Sequence, residues 1–142
     1  MKQFYNILGY ETFSAGLHLY FNKHQWQNTT LPDFVSCLDE AYRNSGDTSL
    51  GENFDLPAWC DTWLKSSGVN ILEPILEVEN GQLVSLKIKQ GMAVRGKNRL
   101  RLQKLNVGVY GANDTSGQPH VIRNVVISGT EEITEVDISS LP

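Results

Sequence analysis

Three histidines, His18, His24 and His120, are the side chains of this sequence best suited to hold a metal ion. A hydrolytic zinc centre needs three protein ligands at short motif spacing and an open position for water. His18 and His24 stand six positions apart, which puts them on different sides of a helix, and His120 is remote from both. His24, set between Lys23 and Trp26, reads as a helix-end histidine with ordinary hydrogen bonds. Asp33, Asp39 and Glu40 have the chemistry of paired hydrolytic acids, but helical spacing makes them a cap and a solvated face. No nucleophile–base pair and no phosphate-binding loop is legible. The expected catalytic, cofactor-binding and metal-ligating sets are therefore all empty.

Other reactive or sticky side chains have plainer readings. Cys37 and Cys60 are outside any C-x-x-C pair and are expected to be free thiols packed as small apolar residues. Trp26, Trp59 and Trp63 read as core or interface indoles in helical segments rather than as a sugar-stacking platform. Arg95, Lys97, Arg99, Arg101 and Lys104 form a local basic run; alternation through Leu100 and Leu102 reads it as an exposed strand edge guarded by charge. Asn28-Thr29-Thr30 and Asn113-Asp114-Thr115 fit the glycosylation sequon and are read as a capping turn and a loop.

Composition narrows the class. The chain has 142 residues, 40% hydrophobic and 20% charged, so a globular fold of one domain or two small ones is expected. A net charge of −4 argues against nucleic acid as a partner, because phosphate neutralisation needs an excess of Lys and Arg. No apolar run approaches the roughly 18 residues of a membrane span, and residues 1–10 do not read as a signal peptide. The compartment is left open, with the cytoplasm slightly favoured.

The elements that position these side chains change character near Gly68, from helical spacing to alternation, which points to two structural units. Four helices are expected before it. Residues 2–8 carry Phe4, Ile7 and Leu8 on one side. Residues 11–26 carry a wide face of Phe13, Leu17, Tyr20, Phe21 and His24. The third opens on Thr30 and Asp33 with Pro32 early in its first turn, and buries Phe34, Leu38 and Ala41. A loop over 44–53 leads to the fourth, capped by Asp55 and burying Trp59, Trp63 and Leu56. Beyond Gly68, strands are expected over 75–79 and 83–89 around Asn80-Gly81, a dipeptide that accepts the left-handed backbone of a tight hairpin. Three more follow over 100–110, 120–128 and 133–138. A phase slip inside the first of them predicts a bulge near Gln103 and Lys104. The fold class is α+β: a helical segment, then a small antiparallel β-sandwich.

Gly9, Phe13, Gly16, Leu17, Tyr20, Phe21, Lys23, His24, Trp26, Asn28, Thr29, Thr30, Leu31, Asp33 and Phe34 stand in an order and spacing that resembles one family. That family is the zinc aminopeptidases of the membrane alanyl and puromycin-sensitive type. Leu56, Trp59, Trp63, Leu64 and Gly68 continue the likeness. Residues 70–74 sit at the family's junction between domains, and residues 105–110 resemble one of its sandwich strands. The match is specific over residues 3–68 and rests on order of elements over 75–138.

The resemblance implies the closing end of a thermolysin-like catalytic domain over residues 1–70 and an adjoining β-sandwich over 71–142. It implies zinc in the intact parent and none in this chain. The family's H-E-x-x-H ligands and general base, its G-A-M-E-N-like segment and its oxyanion tyrosine have no counterpart here. The family's metal site precedes this stretch, so the chain is expected to be a piece of a peptidase without peptidase chemistry. The implied partners are the rest of the parent, namely its catalytic and C-terminal helical domains, with peptide substrate only there. Self-association of the isolated chain is expected. A stand-alone binding module without catalysis is the alternative.

Overall fold

The computed structural model describes residues 1–92, 99–111, 115–119 and 121–139. The chain is an α+β protein that divides into two compact units, Met1–Ser67 and Gly68–Pro142.

The first unit holds α1 (Lys2–Leu8), α2 (Tyr10–His24), α3 (Leu31–Ser45) and α4 (Leu56–Leu64). α3 packs against α2 and α4, and α1 against α2. The start of α3 is fixed locally: Asp33 Oδ2 accepts the Thr30 backbone N–H at 2.8 Å, closing a capping box with Pro in the first turn. Asp55 caps α4 in the same spirit, its Oδ1 accepting from Ala58 N at 2.8 Å. Phe4, Ile7, Leu8, Leu38, Leu56 and Trp59 are among the buried residues. Phe4 meets Phe34 and Trp59 edge to face, at centroid distances of 6.0 and 5.5 Å.

Three helical details differ from expectation. α2 ends at His24, and Trp26 follows in a turn with φ 64 and 99% of its surface exposed, so it is neither helical nor core. The expected wide aromatic face of α2 is narrower: Phe21 is 64% exposed, and the fully buried residue of the helix is Gly16. The reason is distance. With no side chain at Gly16, α2 approaches α3 too closely for large residues to interleave there. α3 also runs on to Ser45 before Gly46 ends it, which shortens the expected loop.

The second unit holds β1 (Asn70–Glu79), β2 (Gln82–Met92), β3 (Gln103–Val109), β4 (Val121–Ile127) and β5 (Ile133–Glu135). β1, β2 and β5 form one antiparallel sheet in that order, and β3 and β4 a second. Asn80 and Gly81 turn the first hairpin with φ 51 and 82. Leu86, Ile88, Val125, Ile127 and Val136 form one buried cluster drawn from both sheets, ringed by Leu72, Leu83, Leu105, Val107 and Ile138.

The hairpin strands are longer than expected. β1 takes in the segment 70–74, including Pro74, which is tolerated because β1 lies at the sheet edge. Leu100 and Leu102 precede the strand rather than belonging to it. The phase slip there reflects a strand that starts at Gln103, not a bulge inside a longer one. The irregularity in pairing lies instead in the first hairpin, where the register shifts between Glu77 and Val78. The last two strands are shorter than expected, at Val121–Ile127 and Ile133–Glu135.

Candidate functional site

Most candidate residues of the helical unit have a structural interaction. His24 is half-buried at the end of α2, its ring 5.5 Å from that of Tyr20, and His18 is exposed on the same helix. Asp33 is the cap described above; its bonds to Thr30 hold its carboxyl below the usual carboxylate range. Asp39 accepts from Arg43 Nε at 2.7 Å, one turn away, and Glu40 pairs with Lys23 of α2. Cys37 and Cys60 are buried free thiols, and burial pushes the Cys60 thiol up. Trp59 is buried and its ring lies 6.0 Å from that of the half-buried Trp63, so the three indoles form no common platform. Asn28 is exposed in the turn before α3. Among the described residues no group of three or more His, Cys, Asp or Glu side chains is placed to hold a metal ion. His120, Arg95, Lys97, Asn113 and Asp114 lie outside the described residues.

The basic run breaks up in the second unit. Arg101 is 2% exposed, the reverse of the solvated edge residue expected. Its Nη1 donates to Gly68 O at 3.0 Å and to Asn70 Oδ1 at 2.8 Å, and Asn70 Nδ2 donates to Arg99 O at 2.8 Å. Gln90, 1% exposed, completes the cluster. Its Oε1 accepts from Arg101 N at 3.1 Å and Gln103 Nε2 at 2.9 Å, and its Nε2 donates to Ser128 O at 2.9 Å. The cluster ties the first residues of the unit to β2, to the segment entering β3 and to the turn after β4. Burial of a guanidinium is tolerated only when its donors are satisfied, so this is an organising centre of the unit. Sequence reasoning missed it. The available signal was the break in alternation between Leu102 and Leu105, read instead as a bulge.

Two apolar surfaces remain. On the helical unit, Met1, Lys2, Gln3, Tyr5, Asn6 and Phe13 line an open groove of about 650 Å³. On the β unit, Leu76 and Val78 of β1 are 58% and 62% exposed. No described helix is long and apolar enough to cross a membrane.

No protein-family model matches the chain. It is 30% identical over 129 residues to Aminopeptidase N of Streptomyces lividans, a match that covers 87% of this chain and 14% of that protein. It is 35% identical over 127 residues to Aminopeptidase N of Lactococcus lactis subsp. lactis, covering 87% of this chain and 13% of that protein. The chain is thus aminopeptidase N-like over most of its length, and spans about one seventh of the length of the curated relatives it matches.

Proposed function

We propose that this chain is a structural segment of a zinc-dependent aminopeptidase of the membrane alanyl and puromycin-sensitive type. The intact parent would remove N-terminal residues from peptides. The helical unit is the closing end of the thermolysin-like catalytic domain, and the β unit is the adjoining small β-sandwich. The observation that carries this reading is the similarity to two aminopeptidases N across 87% of the chain.

The metal of such an enzyme, when bound, activates water and polarises the substrate carbonyl. The residues described here do not fit it. His18 is exposed and His24 lies with its ring tilted 40° to that of Tyr20, and neither stands in a cluster of three ligand-type side chains among the described residues. In this reading the zinc site lies in the parent outside this chain, and no catalytic step falls to residues of this chain. Their contribution is packing. Tyr5, Tyr10, Phe21 and Leu64 leave 50–69% of their surfaces exposed on the helical unit, as expected of helices that brace a larger domain.

Two measurements test the proposal together. Metal analysis and an aminoacyl-reporter hydrolysis assay on the purified chain should show no stoichiometric zinc and no turnover. The reading frame that contains residue 1 should encode H-E-x-x-H upstream. One zinc per chain with chelator-sensitive turnover would overturn the reading, and so would a frame with no such motif.

A further inference from the structure

β1 is a ten-residue strand at the edge of its sheet, with β2 on one side and no described strand on the other. Its two faces differ in chemistry. Leu72, Pro74, Leu76 and Val78 stand opposite Gln90, Ile88, Leu86 and Leu83, and so share the face that carries the core. Ile71, Glu73, Ile75, Glu77 and Glu79 alternate with them and form the other face. The core-side row is not covered along its length: Leu86 is 5% exposed, but Leu76 directly opposite is 58% exposed and Val78 is 62% exposed. The other face of β1 carries three carboxylates and no basic side chain.

On its occupied edge, one of the three β1 carboxylates faces a lysine of β2, while Glu77 faces Ser85 and Glu79 faces Gln82. β2 offers Leu86, Lys87, Ile88 and Lys89 in strict alternation. Its apolar residues lie beside the core-side row, and Lys89 stands opposite Glu73. The open edge presents the same two rows to the other side. A second copy of β1 fits poorly there, because two rows of glutamate would face each other.

We propose that the open edge of β1 is a docking site for an extended segment that alternates basic with apolar residues. The segment would add a strand to the sheet. Its backbone would pair with the outer N–H and C=O groups of β1, its Lys or Arg side chains would lie along Glu73, Glu77 and Glu79, and its apolar side chains would cover the flank of Leu76 and Val78. The proposal does not depend on the peptidase reading.

The test uses the 142-residue chain and a labelled, end-capped ten-residue peptide that alternates lysine with valine and threonine. Fluorescence anisotropy should show saturable binding. Replacing every lysine by glutamate, or N-methylating alternate amides, should each weaken it at least about tenfold, since one removes the charge match and the other the strand pairing. Glu77→Gln with Glu79→Gln should weaken it by about 2–30-fold, the range for two exposed ion pairs. Amide exchange should slow on binding at those β1 residues not bonded to β2. Absence of binding would overturn the proposal, as would equal binding of all three peptides. Protection of the outer β1 amides in the peptide-free chain would also overturn it, with sedimentation showing whether a second copy or the chain itself covers the edge.

Discussion

A Cβ built on Gly16 would lie 2.5 Å from Leu38 Cδ2 and 3.0 Å from Leu38 Cα, so α2 rests on α3 with no room for a methyl group. The second distance matters more, because it is to backbone: rotating the Leu38 side chain cannot relieve it. Gly16→Ala gains helix propensity of about 1 kcal/mol, but overpacking of about 1–3 kcal/mol should outweigh it. The expected result is a net loss of stability in the helical unit. Trp26, Trp59 and Trp63 all lie in that unit, so urea unfolding followed by indole fluorescence reads it directly. A Gly16→Ala chain as stable as the parent sequence would show that the two helices can separate at little cost.

Gln90→Ala is expected to destabilise the β unit by about 1–3 kcal/mol, because it leaves the buried Arg101 N–H without the acceptor it uses at 3.1 Å. Loss of amide-exchange protection should spread from β2 to Asn70 and the entry to β3, while indole fluorescence of the helical unit stays unchanged. Protection lost only at residue 90 would show the cluster to be a set of separate bonds rather than a connected network.

Acid should weaken the start of α3. Hydrogen bonds from Thr30 lower the folded-state pKa of Asp33 below the ordinary carboxylate range. A carboxyl with a depressed folded pKa contributes stability that is present above the unfolded pKa and lost as pH falls through the folded one. Asp137 behaves alike, through bonds from Ser139. Stability should therefore decline as pH drops below the ordinary carboxylate range, and Asp33→Asn should flatten part of that slope. An unchanged acid limb in Asp33→Asn would remove the capping box from the account.

Cys37 and Cys60 should both titrate with a thiol reagent in denaturant and react slowly in the folded chain. Both are buried, and burial raises the pKa of the Cys60 thiol above its ordinary value, which lowers the thiolate fraction that reacts. Two fast-reacting thiols under native conditions would mean that the core around α3 and α4 opens readily.

What was legible in the sequence is what short-range chemistry controls. The cap at Thr30 and Asp33, the cap at Asp55 and the hairpin turn at Asn80 and Gly81 depend on residues within four positions of one another. Each backbone or side-chain partner lies within reach whatever the rest of the chain does. Spacing also brought out Phe4, Leu38, Leu56 and Trp59 as buried and Asp33 as a cap, because helical periodicity sorts residues by face; the solvated face expected at Asp39 and Glu40 is instead half-buried and ion-paired. The order and spacing of residues 9–34 carried the likeness to aminopeptidases that the two relatives bear out over 87% of the chain.

Tertiary structure decided where distant segments meet. Arg101 reads as one more exposed cation in a basic run, and only the approach of Gly68, Asn70 and Gln90 from 11 to 33 positions away makes it a buried donor. Leu76 carries the alternation of an inward residue, yet it is exposed because the cover over Leu86 does not extend to it. Alternation assigns a residue to a face of its strand; whether anything covers that face depends on packing between sheets, which no local pattern encodes.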